Sequence, residues 1–273
     1  MKRTVFFVSD RTGITAETLA HSLLSQFEEV EFDKINCPFV DTIEKVEELV
    51  AHINEVASRD GVKPIVFSTM VDPLLRGKVE SSMGMVMDMF HAFIRPLEQE
   101  FGVESSHTIG RTHGVGSGSN YNERIDALNF ALANDDGTMT RNYSKADIII
   151  VGVSRTGKTP TCLYLALQFG ILAANYPLTE DDLESDSLPA VLKEYKDRLF
   201  GLSILPDRLR QIRNERRPNS NYASHRQCEH EVRLVEAIYR RERIPFINTS
   251  TMSIEEIAAT IVDNKGLERR WYG

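Results

Sequence analysis

The run Asp147-Ile-Ile-Ile-Val-Gly-Val-Ser-Arg-Thr-Gly-Lys-Thr159 decides the fold of this chain of 273 residues. Its first part is short and uninterruptedly apolar, which is typical of a strand buried on both faces. Its second part, 152–159, matches G-x-x-x-x-G-K-[ST] at every fixed position, and a helical pattern follows it. This order of strand, turn and helix directs several backbone N–H groups and the positive end of a helix at one point. The sequence therefore predicts a phosphate-binding loop.

The residues of this turn have distinct expected roles. Gly152 and Gly157 permit backbone torsions and close approaches that a Cβ would hinder. Lys158 is expected to contact the terminal phosphates of a nucleotide, and the hydroxyl of Thr159 is placed to bind Mg²⁺. We expect the whole turn to hold the ligand through Gly152, Val153, Ser154, Arg155, Thr156, Gly157, Lys158 and Thr159. The alternative is a strand–turn–helix junction that carries Gly-Lys-Thr by chance.

A metal ion at this turn would need a further carboxylate, and the sequence offers three candidates. Asp10 follows the apolar run Val5-Phe-Phe-Val8, Asp72 precedes a predicted helix and Asp207 lies at the start of another. For each of these aspartates a role as a turn or helix-cap residue is the simpler alternative. The sequence therefore leaves the second metal ligand open.

Arginines are concentrated on one predicted helix, 206–216. Arg210, Arg213 and Arg217 share a face of it through their i, i+3 and i+4 spacing. In P-loop kinases an arginine-bearing lid closes over the phosphates and shields them from water. We therefore expect Arg213 and Arg217 to bind the ligand, with a solvated basic face as the alternative.

A base near the hydroxyl that accepts the phosphoryl group has two candidates, Asp10 and His113. His113 is a titratable imidazole in the glycine- and serine-rich stretch 110–120, which is long enough to reach an active site. Asp10 lies in a strand-to-helix turn that is similar to an anion-binding turn. A surface loop around His113 and a simple helix N-cap after Asp10 are the alternatives.

Apolar strand patterns alternate with helical patterns along the chain, which predicts two α/β domains with mainly parallel sheets. A turn signal at 134–137 places the boundary so that an N-terminal recognition domain covers 1–140 and a P-loop kinase-like domain covers 141–273. The expected strands are 4–9, 32–39, 64–69, 146–151, 173–176 and 244–248. The expected helices are 16–27, 41–58, 73–84, 85–100, 121–133, 161–169, 206–216, 224–241 and 253–263.

Composition limits the classes of function. A formal net charge of −8 argues against binding to nucleic acid. No segment has the ~20 apolar residues that a membrane crossing needs, and the N-terminus lacks the pattern of a signal peptide. Three dispersed cysteines have neither disulfide nor zinc-ligand spacing, which fits a reducing cytoplasm. We expect a cytoplasmic protein with a small anionic ligand. The oligomeric state stays open, and a homodimer is compatible with the sequence.

Further motifs occur in order along the chain, from Phe6-Phe-Val-Ser-Asp10 to Glu268-Arg-Arg270. Between them lie Arg111-Thr-His-Gly114, Tyr121-Asn122, Ala133-Asn-Asp-Asp-Gly137, the turn with Pro160-Thr161, Asn175-Tyr-Pro177, Phe200-Gly-Leu202 and Glu215-Arg-Arg217. Together they resemble the bacterial phosphoenolpyruvate synthase regulatory proteins, which are sisters of the pyruvate, phosphate dikinase regulatory proteins. Glycine at position 157 resembles the synthase branch, since the dikinase branch often has serine there. Thr156 departs from that branch, many members of which have cysteine at this position.

The resemblance implies a bifunctional regulator. It uses ADP, not ATP, to phosphorylate a threonine of its target enzyme, and this phosphorylation inactivates the target. The resemblance also implies removal of that phosphate by inorganic phosphate, which yields pyrophosphate. The expected partner is phosphoenolpyruvate synthase, with pyruvate, phosphate dikinase as the alternative target. An ATP-dependent kinase of a small molecule and a non-catalytic nucleotide sensor are the rival classes.

Overall fold

A computed structural model of the protein describes residues 1–106, 118–137, 139–185 and 187–268. The chain divides into two compact units, Met1–Gly114 and Val115–Gly273. Each unit contains a four-stranded sheet in which all neighbouring strands are parallel. The predicted fold class, two α/β domains with parallel sheets, is confirmed.

The first unit has the strand order β2-β1-β3-β4. Its central strand β1 carries Val5, Phe6, Phe7 and Val8, all of which are buried because helices cover both faces of the sheet. Its elements are β1 (Lys2–Val8), α1 (Ile14–Leu24), β2 (Glu31–Cys37), α2 (Ile43–Asp60), β3 (Ile65–Ser68), α3 (Pro73–Glu80), β4 (Met85–Asp88) and α4 (Met89–Phe101).

The predicted helix over 85–100 is wrong in its first turn, where the structure has β4. This strand pairs in parallel with β3, and Met85 lies opposite Ile65. Met85 and Met87 are exposed while Val86 and Asp88 are half-buried, so the side chains alternate between two faces. Methionine at every second position is strand spacing, but methionine is not among the β-branched and aromatic residues that indicate a strand.

The second unit has the strand order β6-β5-β7-β8, with β5 and β7 at its centre. Its elements are α5 (Gly118–Ala133), β5 (Ile148–Gly152), α6 (Lys158–Phe169), β6 (Ala173–Pro177), α7 (Glu180–Glu184), β7 (Leu199–Ser203), α8 (Pro206–Arg216), α9 (His225–Glu242), β8 (Phe246–Asn248) and α10 (Ile254–Lys265). The chain turns to opposite sides of β5 to form β6 and β7. The loop after β5 therefore lies at the switch point of the sheet, where open parallel sheets usually bind ligands.

The uninterrupted apolar sequence of β5 follows from its two covered faces. Ile148 and Ile150 belong to one buried cluster, which includes side chains of α6 and α10. Ile149 and Val151 belong to the opposite cluster, which includes side chains of α9. All four side chains are fully buried.

The sequence did not predict β7, although it is a central strand. Gly201 interrupts its apolar pattern, and glycine is depleted in strands. In the structure the ring of Tyr239 packs directly against this glycine. A Cβ on Gly201 would lie only 2.7 Å from two atoms of that ring, so the position requires glycine. The Tyr239 hydroxyl donates to the carbonyl oxygens of Val151, at 2.9 Å, and Leu202, at 3.3 Å. One side chain thus ties the ends of β5 and β7 together.

The two units meet in sequence near residue 114, earlier than the predicted boundary at 140. Helix α5 packs against α6 and β6, so it belongs to the unit that holds β5. The turn signal at 134–137 is a 3-10 turn inside that unit rather than a linker. Within the described part of the chain, no helix has the length and apolar character that crossing a membrane would require.

Candidate phosphate-binding site

The turn between β5 and α6 has the backbone that a phosphate-binding loop needs. Gly157 precedes α6 with a φ of 94°, and Arg155, exposed at the middle of the turn, has a φ of 78°. A Cβ on Gly152 would lie 2.8 Å from the carbonyl oxygen of Leu202 and 2.9 Å from Oγ1 of Thr156. Gly152 is thus required by close packing and Gly157 by its left-handed torsion.

Hydrogen bonds fix the turn from within and from a neighbouring segment. The buried hydroxyl of Thr156 donates to the carbonyl oxygen of Val153 at 3.0 Å. The hydroxyl of Thr249, in the segment after β8, donates to the carbonyl oxygen of Thr156 at 3.2 Å. The second half of the turn is therefore attached to the carboxyl edge of the sheet.

Lys158 is buried beneath the turn, with only 5% of its surface exposed. Its Nζ donates to the carbonyl oxygen of Val153 at 3.0 Å. Burial lowers the pKa of Lys158 to about 8, and the nearby carboxylates of Asp136 and Asp135 oppose that shift. A buried ammonium at the start of a helix is a strong attractor for an anion, because the charge and the helix N–H groups act together.

Two consecutive aspartates lie beside the turn. The hydroxyl of Thr159 donates to Oδ1 of Asp135 at 2.7 Å. Asp136 lines the same cleft as Lys158. Asp135 is therefore a carboxylate in direct contact with Thr159, a position that none of Asp10, Asp72 and Asp207 occupies. The only sequence signal for it was the motif Ala133-Asn-Asp-Asp-Gly137, which we interpreted as a turn.

Asn175 in β6 holds these aspartates in place. It is fully buried; its Nδ2 donates to Asp135, and its Oδ1 accepts the backbone N–H of Asp136 at 3.0 Å. Asp136 has a φ of 49°, a left-handed conformation that aspartate tolerates better than most residues. A single amide thus uses a donor and an acceptor to fix both aspartates, which gives Asn175 a structural role.

These side chains line a cleft of about 290 Å³ at the mouth of the turn. One wall is the turn with Lys158 and Thr159, a second is Asp136, and a third is the α8 face that carries Ile212 and Arg216. Among the residues that the structure describes, the lining is Asp136, Ser154, Arg155, Gly157, Lys158, Thr159, Pro160, Ile212 and Arg216. This described lining has three cationic side chains and one carboxylate, which suits a polyanion with a metal ion.

The predicted arginines lie in different surroundings. Arg213 is fully buried and pairs with Glu231 at 2.6 Å. Arg217 is exposed at the C-terminal end of α8. Arg216 lines the cleft instead, because i, i+4 spacing from Ile212 places both on the face of α8 toward the turn. Sequence spacing grouped arginines into faces but did not show which face was turned toward the loop.

The remaining predicted residues lie elsewhere. In the first unit, Asp10 is buried and accepts the backbone N–H of Val71 at 2.9 Å. Asp72 caps α3 by accepting the N–H groups of Leu74 and Leu75. Asp207 in α8 is largely exposed and contacts His225 at 3.1 Å. His113 lies outside the described residues.

The oxygen atoms beside the turn fit Mg²⁺. This ion favours one or two carboxylates together with phosphate oxygens and water, rather than a cage of protein ligands. The hydroxyl of Thr159 and the carboxylate of Asp135 supply two suitable oxygens 2.7 Å apart. Across the described residues there is no cluster of three or more His, Cys, Asp or Glu that would form a separate metal centre.

The strand that ends in this turn, with a buried lysine and a threonine at the start of the next helix, belongs to an α/β protein with all-parallel sheets. The Kinase/pyrophosphorylase family model matches residues 5–262, and the chain belongs to this family.

Relatives of nearly the same length are similar along the whole chain. A protein of Stutzerimonas stutzeri strain A1501 is 58% identical over 270 residues, which is 99% of each chain. A protein of Pseudomonas putida strain GB-1 is 58% identical over 271 residues, or 99% of this chain and 100% of the relative. Both carry the name "Putative phosphoenolpyruvate synthase regulatory protein".

Proposed function

We propose that this protein is a cytoplasmic, bifunctional regulator of phosphoenolpyruvate synthase. As a protein threonine kinase it transfers a phosphoryl group from ADP to the synthase and inactivates it. As a phosphorylase it removes that group with inorganic phosphate, forms pyrophosphate and reactivates the synthase. The family description, kinase/pyrophosphorylase, supports the two kinds of reaction, and the names of the full-length relatives support the synthase as the target.

The observation that carries the proposal is the grouping of Lys158, Thr159 and Asp135 at one glycine-rich turn. The turn supplies backbone N–H groups, Lys158 supplies positive charge, and the two oxygen-bearing side chains suit a cation beside a phosphate. These are the parts that phosphoryl transfer uses, because its transition state spreads negative charge over several oxygens.

One site can serve both reactions. In the kinase reaction the bond between the two phosphates of ADP breaks and a bond to the threonine oxygen forms, which leaves AMP. In the phosphorylase reaction the bond to the threonine oxygen breaks and a bond to inorganic phosphate forms. Inorganic phosphate would then occupy the place of the AMP phosphate, with Lys158 and the turn holding the transferred group in both directions.

A proton leaves the threonine hydroxyl in the kinase reaction and returns to its oxygen in the phosphorylase reaction. Asp136 is a carboxylate in the same cleft as Lys158, so we propose that it accepts and returns this proton. Asp10 and His113 stay as the other proposed bases.

Mg²⁺ would be held by the hydroxyl of Thr159 and the carboxylate of Asp135. When bound there it would neutralise charge on the phosphates as the transfer proceeds. Asn175 would keep Asp135 in place for that role. Arg216 would contact phosphate oxygens from the α8 side of the cleft, in place of Arg213 and Arg217, which the sequence pattern had favoured.

The proposal is tested with purified phosphoenolpyruvate synthase. The protein is incubated with the synthase and either ADP or ATP, and any phosphothreonine is located by mass spectrometry. We expect transfer from ADP, then release of pyrophosphate when inorganic phosphate is added. Transfer from ATP to a small molecule instead would indicate a metabolite kinase. Binding of ADP without transfer to the synthase or to pyruvate, phosphate dikinase would indicate a nucleotide sensor.

A further inference from the structure

Arg213 is the largest fully buried side chain of the described structure. Both terminal nitrogens of its guanidinium bind the carboxylate of Glu231 in α9, Nη1 at 3.0 Å and Nη2 at 2.6 Å. Such a two-point pairing fixes the orientation of the guanidinium as well as its position. The pair therefore locks α8 to α9 behind the phosphate-binding turn.

The same guanidinium also contacts the turn. Nη2 donates to the carbonyl oxygen of Ser154 at 3.2 Å, and Nη1 donates to the carbonyl oxygen of Tyr222 at 3.1 Å. Tyr222 completes the contact, because its ring lies 4.1 Å from the guanidinium carbon and its hydroxyl donates to Oγ of Ser154 at 3.0 Å. Ser154 is thus held through its backbone by Arg213 and through its side chain by Tyr222.

This arrangement acts on the half of the turn that Thr249 does not anchor. The hydrogen bond from Thr249 holds Thr156, whereas the residue between the two anchors, Arg155, has the left-handed torsion. A non-glycine residue in that conformation persists only where its surroundings fix it. The contacts at Ser154 and Thr156 fix the backbone on either side of it.

Arg213 is also placed to set the position of the cleft wall. Ile212, one residue before Arg213, and Arg216, three residues after it, line the cleft from the same helix. The ion pair with Glu231 fixes Arg213 and therefore the position of α8. The distance between the phosphate-binding turn and the cleft wall formed by Ile212 and Arg216 is fixed in the same way. The charge of Arg213 is already paired and both terminal nitrogens are committed, so this arginine is a poor ligand for a phosphate.

We propose that Arg213, Glu231 and Tyr222 form a brace, here called the Ser154 brace, that positions the phosphate-binding turn and the α8 wall for the anion. The brace consists of positioning residues, which act through Ser154 and Arg216 rather than by touching the substrate. It rests on the proposed function, and it predicts the same effect in both reactions because both use the same turn.

The test compares brace variants with matched variants on the exposed face of α9. The brace variants are Arg213→Lys, Glu231→Gln and Tyr222→Phe, and the controls are Arg233→Lys and Glu229→Gln. For each we measure the KM of ADP in the kinase reaction, the KM of inorganic phosphate in the phosphorylase reaction, both kcat values and the thermal midpoint. Direct binding of ADP by calorimetry gives a readout that does not depend on turnover.

We expect Arg213→Lys and Glu231→Gln to raise both KM values and the Kd of ADP together, by up to about 10²-fold, since small displacements of a binding group have effects of this size. Tyr222→Phe keeps the ring and loses only the hydroxyl bond to Ser154, so its increase is smaller. The controls keep wild-type values. Arg213→Met combined with Glu231→Leu replaces the buried pair with apolar groups, which often preserves stability, and it should fold but bind ADP weakly.

A purely structural role would appear as a lower thermal midpoint with unchanged KM and Kd below it, and that result would overturn the brace. An increase in only one of the two KM values would also overturn it. If the wild-type protein neither binds ADP nor transfers a phosphoryl group, the proposed function fails instead, so the two failures are distinguishable.

Discussion

The hydroxyl of Thr159 donates a hydrogen bond to the carboxylate of Asp135 over 2.7 Å, although 24 positions separate these residues in sequence. Thr159 lies in the first turn of α6, and Asp135 follows the last turn of α5. The two meet because α5 packs along α6 and because Asn175 in β6 donates a hydrogen bond to the aspartate. A packed pair of helices and one buried amide thereby place a carboxylate beside the turn that we propose to bind phosphate.

Replacement of Asp135 by asparagine tests its role as a ligand of Mg²⁺. The side chain keeps its size but loses its charge, so we expect the Mg²⁺ concentration for half-maximal activity to rise by at least about 10- to 100-fold in both reactions. Binding of Mn²⁺ in the presence of ADP, followed by electron paramagnetic resonance, measures affinity without turnover. Asp263→Asn, on the exposed side of α10, is the matched control. Unchanged Mn²⁺ binding in Asp135→Asn would remove this aspartate from the metal site.

Replacement of Lys158 by alanine tests whether the two reactions share one site. Loss of one group that stabilises a developing negative charge typically lowers kcat by about 10²–10³-fold. We expect a loss of this size in both the ADP-dependent and the phosphate-dependent reaction, measured with the same preparation. If the variant lost only the kinase reaction, the idea of a shared site would be wrong.

The affinity for ADP should fall as the pH rises through about 8. Burial lowers the pKa of Lys158 to about 8 in the protein without nucleotide, opposed by Asp136, Cys162 and Asp135 and assisted by Arg213. Because a bound diphosphate favours the charged amine, the pKa of Lys158 is higher in the complex than in the free protein. Affinity is then fully present below pH 8 and weakens above it, approaching about tenfold per pH unit.

Calorimetry in two buffers of different ionisation enthalpy checks this prediction. Above the free-protein pKa, binding of ADP should take up a proton, and below it that uptake should vanish. A Kd that stayed constant across this range, with no proton uptake, would mean that Lys158 is charged throughout and that its burial has little effect.

Replacement of Gly201 by alanine should destabilise the second unit. The added Cβ would lie 2.7 Å from the ring of Tyr239 and 2.8 Å from Cβ of Phe246, and overpacking of this kind typically costs about 1–3 kcal/mol in the free energy of unfolding. Urea unfolding measures the change. The control is Gly77→Ala in α3, where nothing lies within 4 Å and alanine should stabilise the helix by about 1 kcal/mol. Equal stability of Gly201→Ala and the wild type would show that Tyr239 moves aside freely.

The elements with strong local signals were predicted most accurately. Helix α8 was predicted at its observed bounds, because Pro206 starts it and a polar segment follows it. Strand β4 was mistaken for helix, since methionine carries little strand preference, and β7 was missed because Gly201 breaks its pattern. In both cases the strand depends on a neighbour that is distant in sequence. Strand β4 pairs with β3, and Tyr239 packs against Gly201 in β7.

The residues of the candidate site also fall into those that local sequence predicts and those that depend on tertiary packing. The glycines, Lys158 and Thr159 could be assigned from one continuous segment, because backbone torsion and helix direction depend on adjacent residues. Asp135, Asn175 and Arg216 could not, because their relevance depends on packing between α5, β6, α6 and α8. Arg213 was expected to bind the ligand, yet its burial against Glu231 makes it a support for the turn.

By itself the sequence determined a glycine-rich turn between a buried strand and a helix, two parallel α/β units and the family to which the chain is similar. All of these follow from local torsional preferences, from the period of apolar residues or from the order of motifs. Only the tertiary structure decided which carboxylate stands beside Thr159 and which arginine faces the cleft. The sequence pattern around a charged side chain does not show which groups it will contact. Its role is set by its burial and its neighbours in the folded chain.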